Sequence, residues 1–312
     1  MSSAFTAILK YECKYCFDIS RHSKGFETKK ETRKWQNKNI KKLCSGSGFN
    51  WKKIHRQSLA SVSHNPQLIL ARKLARCLKG KQRCGSGACR ICMRELRRWF
   101  ADQAHQCFDT AQPIYSLCLV PCDEDLQLIS GNLSHLNVKK MKERHQTRVI
   151  RALKPANLKN LKNVIIVGGF DISFNQETVS SGSRWQDYWQ PHWYFVFQGC
   201  SSEQLKQALL PHFCTSEKVT KPIRKSKQIN NNPEDYARVF SYALKTVFNR
   251  RVSYRSTKNG RLETNGRPPL KKLQLTELLL FFDRFPVTDR LFLRGVRCHG
   301  TRLVLSAQNA RK

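Results

Sequence analysis

The sequence predicts an α+β protein: an antiparallel sheet with helices packed on one side of it, preceded by a basic, cysteine-rich helical N-terminal region. Three observations carry this expectation. Two long aromatic and β-branched runs, 164–174 and 192–198, read as neighbouring buried strands. From residue 114 onward, strand-like and helix-like segments follow one another as β-α-β-β-α-(β). Upstream of about residue 110 the texture is different, polar and basic, with helical spacing where any spacing is legible.

Residues 1–66 carry 14 Lys/Arg against 4 Asp/Glu, with a Gly/Ser-rich patch at 44–48. They read as an irregular basic arm with a short Cys13, Cys16 knuckle. Residues 67–110 read as a zinc-binding, basic helical region. Leu68, Leu70, Ala71, Leu74, Ala75 and Leu78 mark one amphipathic helix, and a turn over 80–87 leads to a second helix over 90–108. Residues 111–255 form the expected main domain: a strand over 114–120, an acidic turn at 123–125, a helix over 134–153, and the two long strands around a polar loop over 176–188. A helix entered at Ser202, a basic loop over 218–232 and a helix over 233–248, with Pro233 suited to its first turn, complete that domain. Residues 256–312 read as a C-terminal extension with a helix over 274–283 and two short strands.

The charge balance points to a polyanion. Lys and Arg number 57 against 22 Asp and Glu, a formal net charge of +35, and phosphate contacts from such cations supply sequence-independent affinity for nucleic acid. No run of 18 apolar residues exists and the start lacks a signal-peptide pattern, so no membrane partner and a cytoplasmic location are expected. The 13 cysteines, an odd number, are then expected reduced rather than paired.

Three groups could carry chemistry. Asp171 interrupts an apolar strand, where an unpaired carboxylate is costly, and His192 opens the next strand. Oxygen and imidazole ligands on paired strands suit Mg²⁺ or Mn²⁺. Tyr242 and Lys245 are three residues apart in a helical segment and share a face, and a phenol beside a cation can attack phosphorus. Tyr236 and Tyr254 are rivals for that role. Cys84, Cys89 and Cys92, at C-x4-C-x2-C with glycines between, suit structural Zn²⁺, the fourth ligand being open among Cys13, Cys16, Cys77 and Cys107. Segment 67–100 carries 10 Lys/Arg and one Glu, so Arg90, Arg94, Arg97 and Arg98 are expected to face DNA.

Taken in order, these segments resemble the rolling-circle replication initiators of small plasmids, within the HUH endonuclease superfamily. The resemblance spans roughly residues 83–250. It rests on the cysteine-rich, basic segment from Arg83, the strand over 114–121, the acidic strand 168–175, the Trp189-Gln190-Pro191-His192 segment, and Tyr242-Ala243-Leu244-Lys245, which matches a Y-x-x-K nucleophile motif. The second histidine of the family's His-hydrophobic-His pair is Tyr194 here. The resemblance implies an HUH-like sheet and nicking and joining of single-stranded DNA at an origin. Tyr242 would be the nucleophile, Lys245 its support, and His192, Asp171 and Tyr194 the metal ligands. Trp189, with Trp185 and Trp193, would stack bases, and a host helicase would be a further partner. The alternatives are a catalytically silent DNA-binding protein of the same fold and a zinc-stabilised RNA-binding protein.

Overall fold

The computed structural model describes residues 26–80, 83–123, 128–154, 163–177, 186–216, 219, 221–255, 262–264 and 266–306. The Cys13/Cys16 knuckle and Trp185 lie outside them.

The frame is one long antiparallel hairpin, β3 (Ile165–Glu177) against β4 (Gln186–Gln198). Asp171 stands opposite His192, and Gly169 opposite Tyr194. Each long strand shares its outer edge between two partners. Along β4 lie β1 (Tyr115–Leu119) and the short β2 (Leu128–Ile129). Along β3 lie β6 (Arg250–Arg255) and β8 (Leu291–Arg294). With β5 (Ile223–Gln228) and β7 (Leu262–Thr264) the sheet runs β5-β1-β4-β3-β6-β7. The β3/β6 pair is parallel, so the sheet is mixed rather than the antiparallel one expected.

Side-chain alternation sorts this sheet into two faces. Ile166, Phe170, Ile172 and Phe174 share one with Trp189, Trp193, Phe195 and Phe197, all in one core cluster. Onto it pack α1 (Lys29–Cys44), α2 (Pro66–Leu78), α4 (Val138–Ala152), α5 (Ser202–Leu209) and α7 (Lys272–Asp283). Val167, Tyr194 and Val196 belong to the second core, with α3 (Arg90–His105), α6 (Pro233–Tyr242) and the hairpin of β9 (Val296–His299) and β10 (Arg302–Leu305). Helices therefore cover both faces, where one was expected.

Three further expectations change. Residues 29–44 are not irregular: Thr28 and Glu31 form a reciprocal capping box, and Ile40, Leu43 and Cys44 are buried. Their apolar residues are sparse because Gln36 and Asn39 occupy buried positions of the same face. Described residues of the C-terminal extension also enter the main sheet and core, since β8 pairs along β3 and Phe281 and Phe282 of α7 pack against Phe170. Helix α6 has Pro233 in its first turn, as read, and an Asn232 cap before it, but it ends at Tyr242. Lys245 follows in a turn, its amide donating to the Tyr242 carbonyl at 3.2 Å.

That helix end is seated on a glycine. A Cβ at Gly169 would lie 1.9 Å from the Ala243 carbonyl oxygen, so only glycine lets the backbone after Tyr242 rest directly on β3. Gly169→Ala is expected to destabilise the fold by about 3 kcal/mol or more, because backbone cannot yield as a rotamer does; equilibrium urea unfolding measures this.

Candidate functional site

Residues 169, 171, 192 and 194 point to the same sheet face, the one that receives the end of α6. There five expected residues meet. Asp171 is fully buried, and its Oδ2 takes both the Lys245 ammonium and His192 Nε2, the latter at 2.9 Å. His192 Nδ1 lies 3.2 Å from the Gln190 carbonyl. Tyr242 is 40% exposed and stands edge-on to Tyr194, ring centroids 4.8 Å apart, with Lys245 Nζ 5.5 Å from its ring centre. Tyr236 is not in this group; it is buried, its hydroxyl donating to Asn231 at 2.6 Å.

The electrostatics follow from that burial. Desolvation opposes charge on Asp171, but Lys245 and then His192 outweigh it and hold the carboxyl well below its usual range. Desolvation likewise opposes charge on Lys245, and Asp171 outweighs it, raising the ammonium. The pair is ionised, and the acid serves to hold the lysine in place.

His192, Tyr194, Tyr242 and Lys245 form part of the lining of a cavity of about 730 Å³, with Asp171 behind them. Lys221, Arg224, Arg250, Arg251 and Arg267 also line it, and no carboxylate does among the described residues. Burial lowers Arg251, and the neighbouring Arg224 and Arg267 lower it further, the signature of crowded cations with too few anions. Such a cavity attracts a phosphate backbone.

Mg²⁺ or Mn²⁺ does not fit the donors gathered here. Asp171 Oδ1 accepts the Ile172 amide at 2.7 Å and its Oδ2 is engaged by Lys245 and His192, while both ring nitrogens of His192 face protein oxygens. Burial pushes the Tyr194 phenol up to about 12, so it stays protonated and a poor ligand.

The expected DNA contacts are also placed elsewhere. Trp189 is fully buried, its indole donating to Glu277 at 2.9 Å, and Trp193 is buried with its indole donating to His145 at 2.8 Å. Neither has a face for a base. Arg97 is buried, paired with Glu27 and donating to the Ser241 carbonyl at 3.1 Å. Arg94 donates to the Glu27 carbonyl at 2.8 Å, Arg90 lies over Trp35, and Arg98 is half-buried. Arginines at helical spacing look solvated in a sequence; here a buried glutamate from outside the expected helical region claims the central one.

One residue escaped the sequence altogether. Arg290 is fully buried, donates to the carbonyls of Phe170 and Lys245 at 3.2 Å each, and lies over Phe282 at 4.5 Å. It ties the backbone beside Asp171 to the backbone of Lys245.

The cysteines form a separate centre. Cys84, Cys89 and Cys92 are joined by Cys77 from the last turn of α2, and all four sulfurs lie within 4.8 Å of one another. Neighbouring sulfurs are 3.6 to 3.7 Å apart, close to the ~3.8 Å edge of a tetrahedron with metal–sulfur bonds of about 2.3 Å. This donor set fits zinc in a closed, structural site with no position left for catalysis. Gln36 of α1 supports it, its amide nitrogen 3.4 Å from Cys89 Sγ and its amide oxygen accepting the Arg90 backbone N–H at 3.0 Å. The signal for Cys77 was its position seven residues before Cys84, on the same amphipathic helix.

Comparison of the chain with family models, with curated proteins and with solved structures finds no match. No helix among the described residues is long and apolar enough to cross a membrane.

Three outcomes follow. Asp171→Asn leaves the part-buried Lys245 charge uncompensated, an expected cost of about 2–3 kcal/mol, and adding Lys245→Met recovers part of it; chemical denaturation of the single and double variants decides. Because Asp171 is held below its unfolded value, its contribution is complete above about pH 4 and is lost as pH falls further, so the wild-type acid unfolding limb is steeper than that of Asp171→Asn. Cys77→Ser is expected to weaken zinc binding at least about tenfold, or ~1.4 kcal/mol, and to lower the melting temperature, read by metal-competition titration and thermal unfolding.

Proposed function

We propose that the protein cuts and rejoins single-stranded DNA by tyrosine transesterification, the reaction that initiates rolling-circle replication of a plasmid or mobile element. The observation that carries this reading is the half-exposed Tyr242, set beside Lys245 in a cavity whose charged lining is entirely cationic. The Tyr242 hydroxyl oxygen attacks a backbone phosphorus; the bond from phosphorus to the 3′ oxygen breaks, leaving a 5′-phosphotyrosine and a 3′-hydroxyl that takes the proton. Attack by a 3′-hydroxyl on the phosphotyrosine reverses the step and rejoins a strand. Lys245, oriented by Asp171, stabilises the negative charge that grows on the phosphoryl oxygens. Arg224, Arg251 and Arg267 hold the flanking phosphates, and His192 keeps Asp171 charged and fixed. These cations take the role that a divalent ion would have.

A four-cysteine zinc would brace the helices beneath the sheet. The cytoplasm is the expected setting, and a helicase would be needed to open duplex beyond the nick.

The test is incubation of the protein with labelled single strands from DNA flanking its gene, resolved on a denaturing gel. A covalent adduct is expected, formed without added Mg²⁺ or Mn²⁺ and absent in Tyr242→Phe, which still binds the strand. Tight, salt-sensitive binding with no adduct from any flanking sequence would overturn the reading and leave a DNA-binding protein that does not cut.

A further inference from the structure

Two cysteines outside the zinc-type cluster stand unusually close. Cys122 and Cys214, 92 residues apart, bring their sulfurs to 2.8 Å, well inside the 3.6 to 3.7 Å found between thiols of the cluster. No third histidine, cysteine or carboxylate joins them in a metal-binding group among the described residues. The separation suits a bond rather than an ion: a disulfide needs about 0.8 Å of further approach.

The approach is held by the neighbours of both residues, and by the same two side chains of α4. Beside Cys122, Asp123 accepts from Arg148 at 2.6 Å and pairs with His145 at 3.2 Å. Beside Cys214, the Phe213 ring lies 6.0 Å from the His145 ring and 5.8 Å from the Arg148 guanidinium. Cys214 is exposed and Cys122 buried, so one thiol is open to a reagent and the other waits behind it.

We propose that Cys122 and Cys214 are an oxidation site, converted by a low-molecular-weight disulfide such as glutathione disulfide into an internal disulfide. The exposed Cys214 thiolate attacks a sulfur of the reagent, whose S–S bond breaks and releases one glutathione. Cys122 then gives up its proton and attacks the Cys214 sulfur, releasing the second glutathione. Two protein thiols are oxidised, one glutathione disulfide is reduced to two thiols, and the two protons pass to the leaving thiolates. Burial pushes the Cys122 thiol up to about 11, so it does not make the first attack, and its 2.8 Å approach to the Cys214 sulfur serves the second.

The bond would join two sides of the cavity wall. Val120 follows β1, and its amide donates to the Pro222 carbonyl at 2.7 Å; Val219 is held by reciprocal hydrogen bonds with Ser216. Val120, Val219 and Lys221 all line the cavity. Oxidation therefore adds a covalent tie to the hydrogen bonds that already hold this wall beside Lys221. This site is independent of the reaction proposed for Tyr242.

The experiment treats the full-length protein with glutathione disulfide, blocks remaining thiols by alkylation, and maps the digest by mass spectrometry. The expected result is a Cys122–Cys214 crosslinked peptide that dithiothreitol removes, with a melting temperature several degrees above that of the reduced protein. Cys214→Ser, at an exposed position, gives neither the crosslink nor the shift, while its melting temperature in reductant matches the wild type. Recovery of Cys214 as a stable glutathione mixed disulfide with Cys122 alkylated, or of Cys214 bridged to another cysteine, would overturn the proposal.

Discussion

A single carboxylate oxygen organises the centre of this molecule. Asp171 Oδ2 lies beneath the surface of the sheet, and it is tolerable there only because Lys245 and His192 both reach it. Each has to arrive by a different route. His192 comes from the paired strand through hairpin register, and Lys245 from a turn after α6 that can settle only on a residue without a side chain. Gly169, two positions from Asp171 on the same face, meets that demand. Hairpin register, helix end and glycine are therefore parts of one electrostatic arrangement.

Charge is divided in this chain between work inside and work outside. Much of the basic character of α3 is spent internally: Arg97 against Glu27, Arg94 on the Glu27 carbonyl, Arg90 over Trp35. Arg290 and Arg294 hold backbone carbonyls. Lys221, Arg224, Arg250, Arg251 and Arg267 instead line one cavity, where Arg224, Arg251 and Arg267 crowd one another. A net excess of positive charge thus does not say which arginines work inside the fold and which face outward.

Much of the fold was legible because it follows simple periodicities. The two long strands, the α2 and α3 helices and the Asn232–Pro233 helix start all show apolar spacing or capping chemistry. Asp171 and His192 stood out as polar groups in apolar strands, and Tyr242 and Lys245 by their spacing. What stayed hidden depends on distant partners. The α1 helix buries Gln36 and Asn39 for contacts that its own spacing does not reveal. Cys77 becomes a ligand only once α2 and α3 pack, and Trp189 turns inward because Glu277, 88 residues later, accepts its N–H. Arg290 looks like any surface arginine until β8 joins β3. The parallel β3/β6 pairing is likewise a property of the chain's path rather than of either strand.

The edge of β3 has a consequence for the order in which this molecule comes into being. Tyr242 and Lys245 are translated before Arg290 and before the strand that closes β3. Until those later residues exist, the backbone of Lys245 lacks the guanidinium that ties it to Phe170, and the strand carrying Asp171 has an open edge. Tyr242 and Lys245 are thus made before the scaffold that seats them. A chain that stops short of Arg290 carries both side chains without the contacts that place their backbone.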